Sequence, residues 1–280
     1  MIDTHVHLWD GPLDWMTDEM TALQRPFGLD ELRPDLAAHG IDGVVLVQAH
    51  SSVEETRRFL AVADADGLVA GVVGWVDLAA PDVAAVLAEL GESPHLVGIR
   101  HQVHDEPDPA WLLRREVLRG LAAVRDAGLA YDLLIRPREL PAALELAHRL
   151  PELRLVIDHA AKPPVATGEL EPWCTLMAPF AGLEHVSCKV SGLVTEADWE
   201  LWEPDDLVPY VSRLAEWFGA ERLLFGSDWP VCLLAASYDE VVAACEHALG
   251  DHALGDLTRL ARTAARVYRL PCAPSSQSQT

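Results

Sequence analysis

The feature that most constrains the fold is a regular alternation of short apolar, β-branched runs with longer amphipathic stretches. The eight apolar runs are 1–7, 43–48, 69–76, 96–103, 130–135, 153–157, 185–190 and 222–225. Between them, apolar residues recur with helical spacing, and such stretches end at Gly67, Gly128, Gly219 and Gly250. Alternating strands and helices predict a parallel sheet, because each helix carries the chain back across the sheet.

Eight such units in about 270 residues predict an α/β fold, a single-domain (β/α)8 TIM barrel that spans residues 1–270. An open, doubly wound sheet is less favoured, because no G-x-G-x-x-G motif follows the first strand. Half of the residues are hydrophobic, which is ample for a core. The polar, proline-containing segment 271–280 is predicted to be a disordered tail.

The charge of the chain limits the class of its partners. The formal net charge is -23, with 21 Lys and Arg against 44 Asp and Glu. So acidic a chain is expected to bind neither nucleic acid nor a membrane surface, whereas a small anionic molecule is not excluded. The oligomeric state is left open by the sequence.

The cellular location follows from the N-terminus and the cysteines. The first predicted strand begins at about residue 2, which leaves no room for a secretory leader, and no apolar run approaches ~20 residues. None of the five cysteines forms a C-x-x-C pair, so free thiols in a reducing compartment are expected. A cytoplasmic location is therefore predicted. The cysteines are Cys174, Cys188, Cys232, Cys245 and Cys272.

Chemistry is expected where the strands end, because TIM barrels carry their active sites at the C-terminal ends of the strands. The first strand contains His5 and His7, which are two residues apart and therefore point to the same side. Polar residues also occur at the ends of later strands. They are Gln48, His50, Arg100, Gln102, His104, Arg136, Asp158, His159, Lys162, Lys189, Asp228 and Trp229.

Each of these residues also has a structural interpretation. A lone histidine at a strand end is more often structural than a ligand, and Asp158 is expected to be structural because it alternates to the face opposite His159. Arg136, Lys162 and Lys189 are equally compatible with surface charges. Trp111, Trp173, Trp199 and Trp217 are expected to serve in packing. The joint pattern of H-x-H, His159 and Asp228 nevertheless points to one site at the barrel mouth.

Several segments together resemble a known family. "DTHVHLWD", "GIRHQVHDEPD", "VIDHAAKPP", "CKVSGL" and "LLFGSDWPV" are similar to sequences of the amidohydrolase superfamily. Within it, they resemble the sugar-lactone hydrolase branch, that is, L-fuconolactonases and the related pyrone-dicarboxylate lactonases. The resemblance runs from residue 1 to about residue 270.

The resemblance implies a metal and catalytic site. Metal ligation is expected from His5, His7 and Asp228, and catalysis from Asp228 as the general base together with His159. No lysine stands where binuclear members carry a bridging residue, so two metal ions are not expected. The cofactor prediction is therefore no metal or one divalent ion, Zn²⁺ by preference. Without metal, three imidazoles would hydrogen-bond the developing oxyanion.

The activity implied is hydrolysis of the lactone of a sugar acid, with a small-molecule sugar lactone as the partner. The residues expected to bind the substrate are Arg100, Gln102, His104, Lys162, Lys189 and Trp229, the last by laying its ring against a sugar face. Two alternatives stay open. One is another metal-dependent hydrolase or decarboxylase of a cyclic or aromatic acid, and the other is a non-catalytic ligand-binding barrel.

Overall fold

The eight predicted strands all form, and they pair in parallel in the order in which they occur along the chain. The computed structural model describes residues 1–250 and 257–270, so the predicted tail at 271–280 lies outside the described residues. The predicted single-domain (β/α)8 barrel is confirmed. In order, β1 to β8 are Ile2–Val6, Gly43–Val47, Val69–Gly74, Leu96–His101, Ala130–Leu133, Arg154–Ile157, Val186–Val190 and Leu223–Phe225.

Helices follow the strands and cover the outside of the barrel. In order, α1 to α9 are Leu29–Ala38, Val53–Ala65, Val83–Leu90, Arg115–Asp126, Leu140–Arg149, Trp173–Met177, Pro204–Phe218, Tyr238–Leu249 and Leu257–Val267. Short 3-10 turns fill many of the loops between strands and helices. No helix among the described residues has the length and apolar content needed to span a membrane.

The apolar core has two parts. The larger part lies between the strands and the surrounding helices. A smaller cluster joins strand residues such as Val45, Val73 and Leu224 to Val267, the last residue of α9, and to Tyr268. Near-complete burial of branched aliphatic side chains is what a parallel barrel covered by helices requires, and it gives the strand ends a rigid base.

The barrel closes between its first and last strands. The hydroxyl of Thr4 donates to the carbonyl oxygen of Phe225 at 2.6 Å. Beyond the strands, the amide of Asp228 donates to the carbonyl of His5 at 2.9 Å, and that of His7 donates to the carbonyl of Trp229 at 2.8 Å. This closure places the two histidines of β1 directly beside the aspartate that follows β8.

Candidate active site

A cavity of about 330 Å³ opens where the strands end. Its wall combines a polar side with an apolar side, as small-molecule sites commonly do. The polar side chains include Arg100, Gln102, His104, Arg136, Lys162 and Glu196. The apolar ones include Trp15, Met20, Trp199, Val231 and Leu234. Of the predicted cluster, His7, His159 and Asp228 also line the cavity.

Three imidazoles converge on one carboxylate oxygen. The Oδ1 atom of Asp228 lies 3.3 Å from Nε2 of His7, 3.7 Å from Nε2 of His5 and 3.9 Å from Nε2 of His159. The His5 ring also packs against the other two rings, with centroids 4.9 Å from that of His7 and 4.4 Å from that of His159. The four residues that the sequence predicts as a site are therefore in contact.

Asp3, which was not among the predicted site residues, fixes this arrangement from behind. Its Oδ1 atom accepts hydrogen bonds from the amides of His5 at 3.1 Å and Ser227 at 2.9 Å. Its Oδ2 atom accepts from the hydroxyl of Tyr238 at 3.0 Å. Since Asp3 is fully buried and bonds to both strand ends, it holds the histidines and Asp228 in register. The only sequence signal was an aspartate two residues before the first histidine.

The backbone of β2 sets the tautomer of His7. Its Nδ1 atom lies 2.8 Å from the carbonyl oxygen of Val47, which can only accept a hydrogen bond. The ring proton is thus on Nδ1, and the lone pair of Nε2 faces the carboxylate of Asp228. Two opposed lone pairs 3.3 Å apart are stabilised by a proton or a metal ion between them.

His159 is placed by an unusual turn after β6. Residues His159, Ala160, Ala161 and Lys162 have φ of 50°, 53°, 59° and 52°, so four successive residues are left-handed. This conformation costs roughly 1–2 kcal/mol per residue for L-amino acids, and such strain concentrates at functional sites. The turn brings Nδ1 of His159 to 2.9 Å from the hydroxyl of Ser191 and leaves Nε2 facing Asp228.

This turn also corrects the placement expected for Asp158. The alternation rule put Asp158 on the face away from the site, but β6 ends at Ile157 and the rule no longer applies beyond it. Asp158 is instead fully buried next to the site. Its Oδ2 atom accepts from Arg100 at 3.0 Å, and its Oδ1 atom lies 3.5 Å from Nδ1 of His5.

Burial controls the protonation states of the cluster. It lowers the pKa of His159 to about 4, and burial together with nearby Lys189 lowers the pKa of His5 well below its ordinary value. Both rings are therefore neutral at pH 7. Burial alone would raise the pKa of Asp228, but the imidazoles of His159, His7 and His5 outweigh it and hold that pKa below its ordinary value. Asp228 is thus an ionised carboxylate beside the neutral rings of His5 and His159.

Lys189 was expected to bind substrate, but it is fully buried and does not line the cavity. Its ammonium lies 2.7 Å from Oδ2 of Asp132, 3.0 Å from Oδ1 of Asp158 and 3.1 Å from Nδ1 of His5. Tyr268 also donates to Asp132, at 2.6 Å. The expectation is corrected because partners inside the barrel, which a sequence pattern does not show, draw the ammonium beneath the site.

Trp229 was also expected to contact substrate, yet only 2% of it is exposed and it does not line the cavity. Its ring packs edge-on against Phe27, with centroids 5.3 Å apart. The tryptophans in the cavity wall are Trp15 and Trp199. Trp199, which was expected to serve in packing, therefore lies in the cavity wall instead.

The other predicted substrate-binding residues do line the cavity. They are Arg100, Gln102, His104 and Lys162. Lys162 bonds to the carboxylate of Glu196 at 2.5 Å, so it enters the wall as part of an ion pair. Burial, reinforced by nearby cations of which Lys162 is the strongest, lowers the pKa of His104 to about 3. Arg136 is exposed at the wall.

The chain matches known proteins along nearly its whole length. It is 43% identical over 255 residues to an L-fucono-1,5-lactonase of Burkholderia ambifaria, covering 88% of this chain and 86% of that protein. It is 38% identical over 288 residues to an L-fucono-1,5-lactonase of Burkholderia multivorans, with 96% of each covered.

A crystal structure of an amidohydrolase from Burkholderia multivorans, described as having bound zinc, superimposes with a TM-score of 0.91. It shares 38% identity and covers 96% of this chain and 99% of its own. The family model described as Amidohydrolase matches residues 2–270, nearly all of the chain. These matches confirm the family that the motifs around His5, His159 and Asp228 resemble. The protein is a member of the amidohydrolase family.

Proposed function

We propose that the protein hydrolyses the lactone of a six-carbon sugar acid, opening the ring to the free hydroxy acid. The observation that carries the proposal is the convergence of three imidazoles on Asp228 at the inner end of a cavity with one polar and one apolar side. The similarity to two L-fucono-1,5-lactonases supports the choice of a sugar lactone.

Asp228 is proposed as the general base. It is ionised and lines the cavity, so its carboxylate oxygens are the acceptors for a proton from a water molecule bound there. The resulting hydroxide attacks the lactone carbonyl, and the proton returns from Asp228 to the ring oxygen as the C–O bond breaks. The product is one hydroxy acid, which ionises and releases one proton to solvent.

The carbonyl oxygen is expected on the side of the cavity where donors meet Asp228. The guanidinium of Arg100 reaches the cavity wall although only 3% of the residue is exposed. A buried, always-charged donor stabilises a developing oxyanion more strongly than an exposed one, because little water competes for it. His5 and His7 lie on the same side of the site, beside Asp228.

We propose that His5, His7 and Asp228 can hold a single divalent cation, with zinc as the preferred ion. The Nε2 atoms of His7 and His5 lie 3.3 Å and 3.7 Å from Oδ1 of Asp228, near the ~3.4 Å that separates two ligands of a tetrahedral zinc ion. The carbonyl of Val47 fixes the His7 tautomer that ligation requires. A zinc ion bound there would act as a Lewis acid on the carbonyl. The related crystal structure with bound zinc supports this assignment.

The wall of the cavity suits a polyol that has one apolar end. Gln102, His104 and Lys162 can exchange hydrogen bonds with ring hydroxyls. Trp15 and Trp199 supply apolar surface, and their ring faces suit the C–H face of a sugar. A 6-deoxy sugar lactone, which carries a methyl group, therefore fits the cavity, and fucono- and galactono-configured lactones are the expected substrates.

We further place the reaction in the cytoplasm. The four cysteines in the described part of the chain, Cys174, Cys188, Cys232 and Cys245, are free thiols. Free thiols persist in a reducing compartment. Fractionation of cells that express the protein without added tags checks this location.

A pH-indicator assay over a panel of lactones tests the proposed function, because each ring opening releases one proton. We expect efficient turnover of L-fucono-, D-galactono- and related lactones, and kcat/KM lower by at least ~10²-fold for unsubstituted aliphatic lactones. Reactions without enzyme correct for spontaneous hydrolysis. Preference for aliphatic lactones, or no turnover of any sugar lactone, would overturn the substrate assignment.

A further inference from the structure

Arg100 connects the imidazole of His5 to the buried charges beneath the site. Its Nη1 atom lies 3.0 Å from Nε2 of His5 and 3.0 Å from Oδ2 of Asp158. Its Nη2 atom donates to the backbone carbonyl and the side-chain oxygen of Gln48. A guanidinium has no lone pair to offer, so the contact with His5 is a hydrogen bond only when Nε2 supplies the lone pair.

The surroundings of His5 are consistent with that tautomer. An imidazole that accepts a hydrogen bond has one N–H and one lone pair, so only one of its two ring nitrogens can accept. The Nδ1 atom of His5 faces the Oδ1 atom of Asp158 at 3.5 Å, which can accept the proton. Lys189 also approaches Nδ1, at 3.1 Å, so two cations face a ring that has one lone pair to offer. We assign the lone pair to Nε2, because a proton on Nδ1 then faces Oδ1 of Asp158, a buried oxygen that is ion-paired with Lys189 but accepts no hydrogen bond from another described residue.

Among the described residues, two groups could hold a metal ion, and the one formed by His5, His7 and Asp228 needs the same atom. In that group it is Nε2 of His5 that faces Asp228, 3.7 Å from its Oδ1 atom. The one lone pair of Nε2 cannot serve Arg100 and a cation at the same time. Arg100 is also held by Asp158 and Gln48, so it does not swing away without losing hydrogen bonds.

We propose that Arg100 competes with the divalent cation for Nε2 of His5 and thereby sets the metal affinity of the site. The inference rests on the proposed metal site and adds a residue that opposes it. Binding of the cation breaks the hydrogen bond between Arg100 and His5 and places the cation next to the positive guanidinium. Both effects lower the affinity of the site for the cation. Without the cation, the same bond orients the ring of His5.

Zinc affinity of the metal-free protein, measured by competition with a chromophoric chelator, tests the proposal. Arg100→Met should bind Zn²⁺ at least ~10-fold more tightly than the parent. Arg136→Met is the matched control, because it removes an equal charge from the cavity wall but has no bond to His5. Its affinity should stay within about threefold of the parent.

Equal gains in both variants would show simple charge repulsion and overturn the proposal, as would an unchanged or weaker affinity in Arg100→Met. No substrate is present, so the result does not depend on whether the protein is a lactonase. Failure of zinc to bind any variant would instead overturn the metal site itself, and the competition with it.

A second measurement uses the parent protein and needs no variant at Arg100. In the metal-free state, ¹⁵N NMR of labelled imidazoles should show an unprotonated Nε2 and a protonated Nδ1 for His5, with assignment from His5→Gln. Addition of Zn²⁺ should shift the Nε2 resonance. A proton on Nε2 in the metal-free protein would exclude the hydrogen bond from Arg100 and overturn the proposal.

Discussion

Gly192 lies directly behind the ring of His159. A Cβ atom on Gly192 would lie 2.5 Å from Nδ1 of His159 and 3.0 Å from Oδ2 of Asp228. Gly192 also has φ of 59°, a left-handed conformation that other residues rarely adopt. A side chain at position 192 would therefore collide with His159 and Asp228, which explains the glycine at this point of the loop after β7.

Gly192→Ala should lower kcat about 10²-fold. The new methyl group displaces His159, and a misplacement of about 1 Å can cost this much in rate. Steady-state kinetics on the best lactone substrate check the prediction, and circular dichroism confirms that the variant folds. Activity within a few-fold of the parent would show that the position of His159 is unimportant for turnover.

Gly168→Ala is the control for backbone strain alone. Gly168 has φ of 68°, but a Cβ atom there would meet nothing within 4 Å. This variant should lose about 1 kcal/mol of stability and keep its kcat. A loss of rate equal to that of Gly192→Ala would show that strain, rather than contact with His159, accounts for both effects.

Asp228→Asn should lower kcat by ~10²–10⁴-fold while the protein remains folded, because an amide keeps the shape of the side chain but accepts no proton. Initial rates and thermal unfolding are measured on the same preparation. Asp105→Asn is the matched control, since Asp105 lines the cavity but makes no contact with the three imidazoles at Asp228. Similar losses in both variants would argue against Asp228 as the base.

The positions of the strands could be predicted from the sequence because buried parallel strands are continuous apolar runs. Every predicted run overlaps a strand, and the observed strands are mostly shorter at one or both ends. The pairing of His5 and His7 with Asp228 could also be predicted, since chain order in a (β/α)8 barrel brings the first strand beside the last.

Residues beyond a strand end were harder to predict. The alternation rule failed for Asp158 because the chain turns left-handed directly after it. Lys189 and Trp229 were assigned to the cavity from their residue types. Their actual positions depend on partners that are distant in sequence, namely Asp132 and Phe27. Such partners are known only once the chain has folded, and the sequence around Lys189 or Trp229 does not indicate them.

Lys189→Met should destabilise the protein by about 3–5 kcal/mol, because it leaves the buried carboxylates of Asp132 and Asp158 without their ammonium partner. Adding Asp132→Asn should recover part of that loss, since one uncompensated charge is removed. Urea unfolding of both single variants, the double variant and the parent gives the coupling energy. Additive effects would show that the Lys189–Asp132 ion pair is not a net stabilising contact.

The last prediction concerns His104 and the dependence of stability on pH. Burial and nearby cations lower the pKa of His104 to about 3 in the folded protein, against an ordinary value of 6.5. Between these values the unfolded chain binds the extra proton, so this residue makes the fold less stable as the pH falls through that window.

His104→Gln removes that proton site and should reduce the loss of stability between pH 7 and pH 5 by about 2 kcal/mol. Urea unfolding at the two pH values measures it. His148→Gln is the control, because it makes the same substitution at an exposed histidine on α5 that does not line the cavity. If His104→Gln and the parent lost equal stability, the imidazole of His104 would be protonated as readily in the folded protein as in the unfolded chain. The cavity wall around His104 would then admit enough water to solvate a cation.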